Sequence, residues 1–202
     1  MSDPVKTAII YYSSTGSVYQ LARAAVEGAE KGGAEVRLRK VRELAPQEAI
    51  AGNEQWAAHL AETADVTEAN LDDLDWADVV LFGTPTRYGN PSAQLKQFID
   101  TAGGLWQAGK LQDKVYSAFT SSATAHGGQE STLLALGNIF YHWGGLIVPP
   151  GYTDPIQFQL GNPYGTSHVG GAGAPGDTEL EAARYQARRA VEVATAFRDG
   201  RR

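Results

Sequence analysis

The sequence predicts an α/β protein, a doubly wound parallel sheet of five strands in the order 2-1-3-4-5 with helices on both faces. Continuous apolar runs, with the composition of strands buried on both sides, alternate along the chain with stretches whose apolar residues recur at helical spacing. Strand and helix in alternation imply parallel pairing through right-handed crossovers. The first, third and fourth runs each end in a loop of small polar residues and glycine. In a sheet of this order, those three loops meet where the strand order reverses.

The first strand carries Val5, Ala8, Ile9, Ile10, Tyr11 and Tyr12 and stops at Ser13. Val18, Leu21, Ala22, Ala25, Val26 and Ala29 then mark a helix, with Ser17 and Gln20 spaced as a capping box and Gly32 and Gly33 at its end. Residues 35–41 (E-V-R-L-R-K-V) alternate with period two, as a half-buried edge strand does. Residues 46–75 show a weak helical pattern through Ile50, Trp56, Leu60 and Ala64. Their many carboxylates do not cluster at ligand spacing, so they read as a solvated face rather than a metal site.

A third strand at 78–84 ends in the loop 85–91, and Ala93, Leu95, Phe98, Ile99 and Ala102 form an amphipathic helix closed by Gly103 and Gly104. Residues 114–120 make the fourth strand, 133–143 the next helix and 146–148 a short fifth strand. Residues 149–176 are dense in Gly and Pro and carry neither period, which predicts a long loop ordered by Tyr152, Ile156, Phe158, Leu160 and Tyr164. A last helix, capped by Thr178 and Glu181, runs through Leu180, Ala183, Ala187, Ala190, Val191, Ala194 and Phe197. No repeat or low-complexity linker interrupts residues 1–202, which are read as one domain.

Composition narrows the function. With 43% hydrophobic and 20% charged residues, the chain has the make-up of a soluble globular protein. Its formal charge of −6, with basic residues grouped only at 37–42 and at Arg201 and Arg202, disfavours nucleic acid as a partner. The absence of cysteine excludes disulfides, thiol catalysis and iron–sulfur clusters. No signal-peptide pattern occurs in residues 1–6 and no apolar run approaches a membrane span, so a cytoplasmic location is expected. Four scattered histidines make a metal site improbable.

The loop after the first strand, S-S-T-G-S-V, opens a helix. It offers free backbone N–H groups, the positive end of a helix dipole and hydroxyls on Ser13, Ser14, Thr15 and Ser17, a set that binds phosphate. Neither G-x-x-x-x-G-K-[ST] nor G-x-G-x-x-G occurs here, which disfavours a nucleoside triphosphate and a Rossmann-bound dinucleotide. A terminal phosphate monoester remains, and flavin mononucleotide (FMN) carries one. A plain strand-turn-helix connection rich in Ser and Gly would look the same. The loops 85–91 and 120–128 then bracket a flat ring system, which Tyr88 or Trp106 can cover.

Several motifs add a resemblance that runs the length of the chain. Y-Y-S-S-T-G at 11–16, F-G-T-P-T-R-Y-G-N at 82–90, G-G-L-W at 103–106, H-G-G-Q-E at 126–130, P-P-G-Y-T at 149–153 and N-P-Y-G at 162–165 resemble the flavodoxin-like WrbA family, the type IV NAD(P)H:quinone oxidoreductases. The resemblance implies bound FMN, NAD(P)H as donor, a quinone as acceptor and a homotetramer whose neighbouring subunits complete each site. Ser13, Ser14, Thr15, Gly16, Ser17 and Val18 would hold the FMN phosphate. Pro85, Thr86, Arg87, Tyr88, Gly89 and Asn90, with Ser121, Ser122, Ala123, Thr124, His126 and Gly127, would lie against ribityl and ring. Trp106, Tyr88 and Thr15 would meet the substrates, with Thr15 standing where some members have a tyrosine. Arg87 and His142 would serve catalysis, Arg87 by stabilising negative charge on the reduced ring and His142 as a proton donor.

Both substrates would stack on one ring face in turn, which is ping-pong kinetics with two-electron transfer. A packing or interface role for His142 stays open beside this. So do a flavodoxin-type electron carrier without its own substrate and a regulatory binding module.

Overall fold

The computed structural model describes residues 3–201; Met1, Ser2 and Arg202, which belong to the two terminal segments weighed above, lie outside the described residues. The central sheet follows the expected order, β2 (Glu35–Lys40), β1 (Lys6–Tyr11), β3 (Val79–Pro85), β4 (Val115–Ser122) and β5 (Leu146–Ile147), all parallel. Burial on both faces follows from the alternation within each apolar run. Ile9, Tyr11, Leu81 and Phe119 point to one layer, where α1 (Ser17–Lys31) and α9 (Asp177–Gly200) cover them with Leu21, Ala25, Ala187 and Ala190. Ala8, Ile10, Val80, Phe82 and Tyr116 point to the other, beneath α4 (Leu71–Trp76), α5 (Ala93–Asp100) and α7 (Gln129–His142). On that side Phe140 stacks on Tyr116 at 5.0 Å between ring centroids. The edge strand β2 is half buried as its period-two pattern requires.

Five details differ from the sequence expectation, each for a local reason. Ser17 and Gln20 form no capping box. The N-cap is Gly16, whose φ of 100° lies in the left-handed region, and Ser17 is already the first helical residue. Gly103 and Gly104 do not close a helix; they open a one-turn helix, α6 (Gly103–Gln107), after α5 has ended at Asp100. The segment 46–75 resolves into α2 (Gln47–Ala51), α3 (Glu54–Glu62) and α4, the last two capped by the Asn53 and Asn70 side chains. Helix α7 begins four residues before Leu133, on Gly128 as N-cap. Helix α9 is capped by Gly176, whose N–H donates to Glu179, rather than by Thr178 and Glu181.

The largest addition lies in residues 149–176. They hold α8 (Pro155–Leu160) and a sixth strand, β6 (Ser167–Val169), which pairs with β4 through Thr120, Ser121 and Ser122. Strand β5 covers only the start of β4, at Val115 and Tyr116. The edge of β4 is thus closed in two pieces, and the Gly/Pro-rich stretch is an excursion between them. A 3-10 turn at Gly170–Ala172 then carries the chain toward α9.

The layer of α1 and α9 depends on close backbone approach. A Cβ on Gly28 would stand 2.1 Å from the Arg184 carbonyl oxygen of α9. Gly28→Ala is therefore expected to cost about 1–3 kcal/mol through overpacking, read as a lower urea midpoint with an unchanged slope.

Candidate functional site

The strand register sets the site. Tyr11 pairs with Gly83, and Pro85 pairs with Ser121, so the loops after β1, β3 and β4 leave the sheet side by side at its carboxyl edge. Ser13 Oγ accepts the Gly16 N–H at 3.0 Å and shapes the first loop. Ser17, Val18 and Tyr19 are the first three helical residues of α1, and no carbonyl inside the helix can accept from their N–H groups. Thr15 is exposed, and Ser13, Ser14 and Ser17 are partly so.

The second loop is a tight reversal. Arg87 and Asn90 exchange backbone hydrogen bonds of 2.8 and 3.0 Å around Tyr88 and Gly89, and both central residues have positive φ, 53° and 78°. An aromatic residue in that region carries strain that a glycine would not. The Tyr88 side chain projects wholly into solvent, at 103% relative exposure.

The second and third loops are stapled to each other. Thr86 N–H donates to Ser121 O at 2.7 Å. Its Oγ1 accepts the Gly89 N–H at 3.1 Å and lies 2.8 Å from Thr132 Oγ1, which is also 2.8 Å from the Gly128 carbonyl. A Cβ on Gly128 would fall 2.8 Å from Gly89 Cα, so the two backbones touch. Ser121 and Ser122 are buried at the end of β4, and the Ser122 hydroxyl is occupied by Thr124 O and Gln129 Nε2. Ala123, Thr124 and His126 are exposed, with Gly127 partly covered.

Arg87 links the second loop to the first. Its guanidinium donates to Thr86 O at 3.0 Å and reaches Ser14 Oγ at 3.5 Å. It forms no ion pair among the described residues. Behind it lies the carboxylate of Glu43. Glu43 accepts from Leu44 N, Ala45 N, Gln94 Nε2, Tyr12 Oη and Trp56 Nε1, at 2.8 to 3.0 Å. Burial pushes this carboxyl up, but the hydrogen bonds outweigh it and hold Glu43 below its ordinary value. Burial and the same carboxylate push the Tyr12 phenol up, while Arg87 opposes the shift. Gln94, Trp56 and Thr132 carried no local signal; their roles come from contacts distant in sequence.

Trp106 and His142 are brought together, but elsewhere. Trp106 Nε1 donates to His142 O at 2.9 Å, and both line a shallow cleft of about 300 Å³ with Ile99 and Asn138. That cleft lies at the end of α7, whose 14 residues place His142 roughly 20 Å from the third loop at a rise of ~1.5 Å per residue. It adjoins the start of β5, the opposite edge of the sheet. Trp106 is 55% exposed there. The other two histidines, which showed no partner in sequence, are buried. His168 meets Glu179 Oε1 at 3.2 Å and Gly173 O at 2.8 Å; His59 lies under the first loop. Among the described residues no three His, Asp or Glu side chains gather as a metal site, and no helix is long and apolar enough to cross a membrane.

Comparison with known proteins agrees with this geometry. Residues 5–156 match the family described as NADPH-dependent FMN reductase. A Deinococcus radiodurans protein named NAD(P)H dehydrogenase (quinone) is 47% identical over 96% of this chain and 97% of its own length. A protein of the same name from Aromatoleum aromaticum is 43% identical over 98% and 99%. Among solved structures, a flavodoxin, WrbA-like protein from Agrobacterium tumefaciens is 29% identical, with a TM-score of 0.65 over 95% of this chain and 98% of that one. An archaeal flavodoxin at 17% identity and a TM-score of 0.61 shares the fold.

The Glu43 carboxyl is held below its ordinary value, so its charged form favours the folded state. That stability is present above the unfolded pKa of about 4.3 and is lost as pH falls through the lower folded value. Glu43→Gln is expected to lose about 1–3 kcal/mol at neutral pH, because the amide turns a donor toward donors. In urea unfolding across pH 3 to 7, the gap from the unaltered protein should narrow toward the acid end.

Proposed function

Since the chain belongs to the flavodoxin-like WrbA family of NAD(P)H dehydrogenases (quinone), we propose that it is an FMN-dependent NAD(P)H:quinone oxidoreductase working by ping-pong, two-electron transfer. The observation that carries the reading is the Arg87 bridge from the second loop to Ser14 of the first, a guanidinium without an acidic partner among the described residues. FMN, when bound, supplies hydride acceptance and two-electron delivery to the quinone.

The residues fit that cofactor. The free first-turn N–H groups of α1 and the hydroxyls of Ser13, Ser14, Thr15 and Ser17 suit a phosphate monoester, with Gly16 and Val18 completing that turn. The stapled loops give a rigid wall for a flat ring, formed by Pro85, Thr86, Gly89 and Asn90 on one side and by residues 121–127 on the other. Arg87 stabilises negative charge at the ring edge, and the exposed Tyr88 and Thr15 meet the substrates. In this proposal the two substrates take the same face in turn, which predicts ping-pong kinetics.

Trp106 and His142 act, in this proposal, from a neighbouring copy in a homotetramer. Their exposure at the opposite edge of the sheet supports that assignment, because within one chain they stand far from the loops. Trp106 stacks over the reacting rings, and His142 supplies a proton to the bound quinone.

Under anaerobic conditions, protein loaded with FMN is expected to bleach in one two-electron step with NADH and to recover on addition of benzoquinone. Flavin that binds but stays oxidised would move the protein to the electron carriers, and failure to bind flavin would remove the proposal. Arg87→Ala and Trp106→Ala are each expected to lose about tenfold to a hundredfold in kcat. Co-expressed, they should regain roughly a quarter of normal activity if each site draws on two copies. No recovery in verified mixed assemblies would put both residues in one subunit's site.

A further inference from the structure

His59 belongs to α3, in the segment between β2 and β3, yet its side chain is buried beneath the first loop. It is 5% exposed. A Cβ on Gly16, the N-cap of α1, would stand 3.5 Å from His59 Nδ1. That nitrogen is buried without a hydrogen bond, and Glu62 Oε2 is 3.7 Å away, beyond bonding reach. A buried polar atom in this condition calls for an explanation. On the outer side of the ring, Thr15, Ser17, Gln20, Glu62 and Gly170 line a polar cleft of about 390 Å³. Two independent features therefore face one place: the free N–H groups that open α1, and a buried imidazole nitrogen that makes no hydrogen bond.

Resting on the FMN reading above, we propose that His59 is a positioning residue of the phosphate subsite, a buried imidazole that takes up a proton when a phosphate monoester dianion docks on the α1 N-terminus. The charged and titratable groups around it are few. Glu62 is on its own helix, Lys40 approaches from β2, and the Tyr19 ring of α1 lies 5.4 Å away with Tyr11 of β1 behind it. Glu43 and Glu68 line the crevice on its inner side together with Lys40. Without an anion, burial holds His59 below its ordinary value, Lys40 adds to that, and Glu62 opposes it. A dianion reverses the balance, because two negative charges arrive where a single carboxylate stood beyond hydrogen-bonding distance. The imidazolium then presents an N–H at Nδ1 toward the loop, and phosphate affinity becomes linked to proton uptake.

The test compares FMN with riboflavin, which lacks the phosphate. Dissociation constants from flavin fluorescence and proton uptake from calorimetry in two buffers would be measured at pH 6.5 and 8, for the unaltered protein and His59→Gln. The difference between the two proteins cancels the phosphate's own ionisation. His59→Gln is expected to weaken FMN about twofold to fivefold at pH 6.5, since a rise of one pKa unit reaches tenfold only where the imidazole is protonated in both states, with a smaller loss at pH 8 and no change for riboflavin. An unchanged FMN-to-riboflavin ratio together with unchanged proton uptake would overturn the proposal and leave the FMN reading standing. Equal affinity for FMN and riboflavin in the unaltered protein would instead overturn both, since no phosphate subsite would exist. Should His59→Gln fail to fold, the imidazole resonance of His59 in the unaltered protein decides the matter. Its pKa should rise by about one unit with FMN and stay put with riboflavin; no movement with FMN refutes the proton uptake.

Discussion

A parallel sheet covered by helices on both faces has nowhere to display polar chemistry except its edges. In this chain that constraint is met by the register of the three central strands, which delivers the loops after β1, β3 and β4 to one edge at the same height. Everything else at the site elaborates that delivery. Thr86 and Thr132 fasten the second loop to the third, Arg87 spans to the first, and Glu43 gathers five donors from four segments behind them. The loops are rigid because each is pinned by a partner that arrives from another strand.

The parts legible in the sequence are those whose cause is local. Runs such as residues 8–12 and 79–82 can only be doubly buried strands, and small polar residues at their ends can only be loops. What escaped is what depends on distant partners. The strand β6 is three residues, Ser167, His168 and Val169, with no apolar pattern; it is a strand because β4 offers an open edge there. Gly103 and Gly104 look like a helix end, yet the turn they open is completed by Trp106, whose N–H bonds back to Ala102. Likewise, Glu43 meets Tyr12 across 31 positions and Gln94 across 51, a separation no motif spans. The Ser and Gly of the first loop are a local pattern that reads as a phosphate loop, whereas His59 beneath it lies in a segment that reads as a solvated connector.

The division between loop cluster and Trp106 face also has a local cause. A helix that returns from the carboxyl edge of a parallel sheet must end at the other edge, so any residue at the close of α5 or α7 is carried away from the site of its own chain. In the proposed reading, the chemistry that needs both ends is assembled between copies.

The two borders of the sheet bear on how safely this protein stays dispersed. A long flat apolar border strand is a template for stacking one molecule on the next. Here β2 borders one side, and its end is covered by residues 67–69, where the Lys40 N–H donates to Thr67 O and the Ala69 N–H to Lys40 O. The opposite border is broken into segments of two and three residues, β5 and β6. Neither border presents a long ladder of the kind from which fibrous aggregates grow, because β5 and β6 divide the open edge of β4 between them.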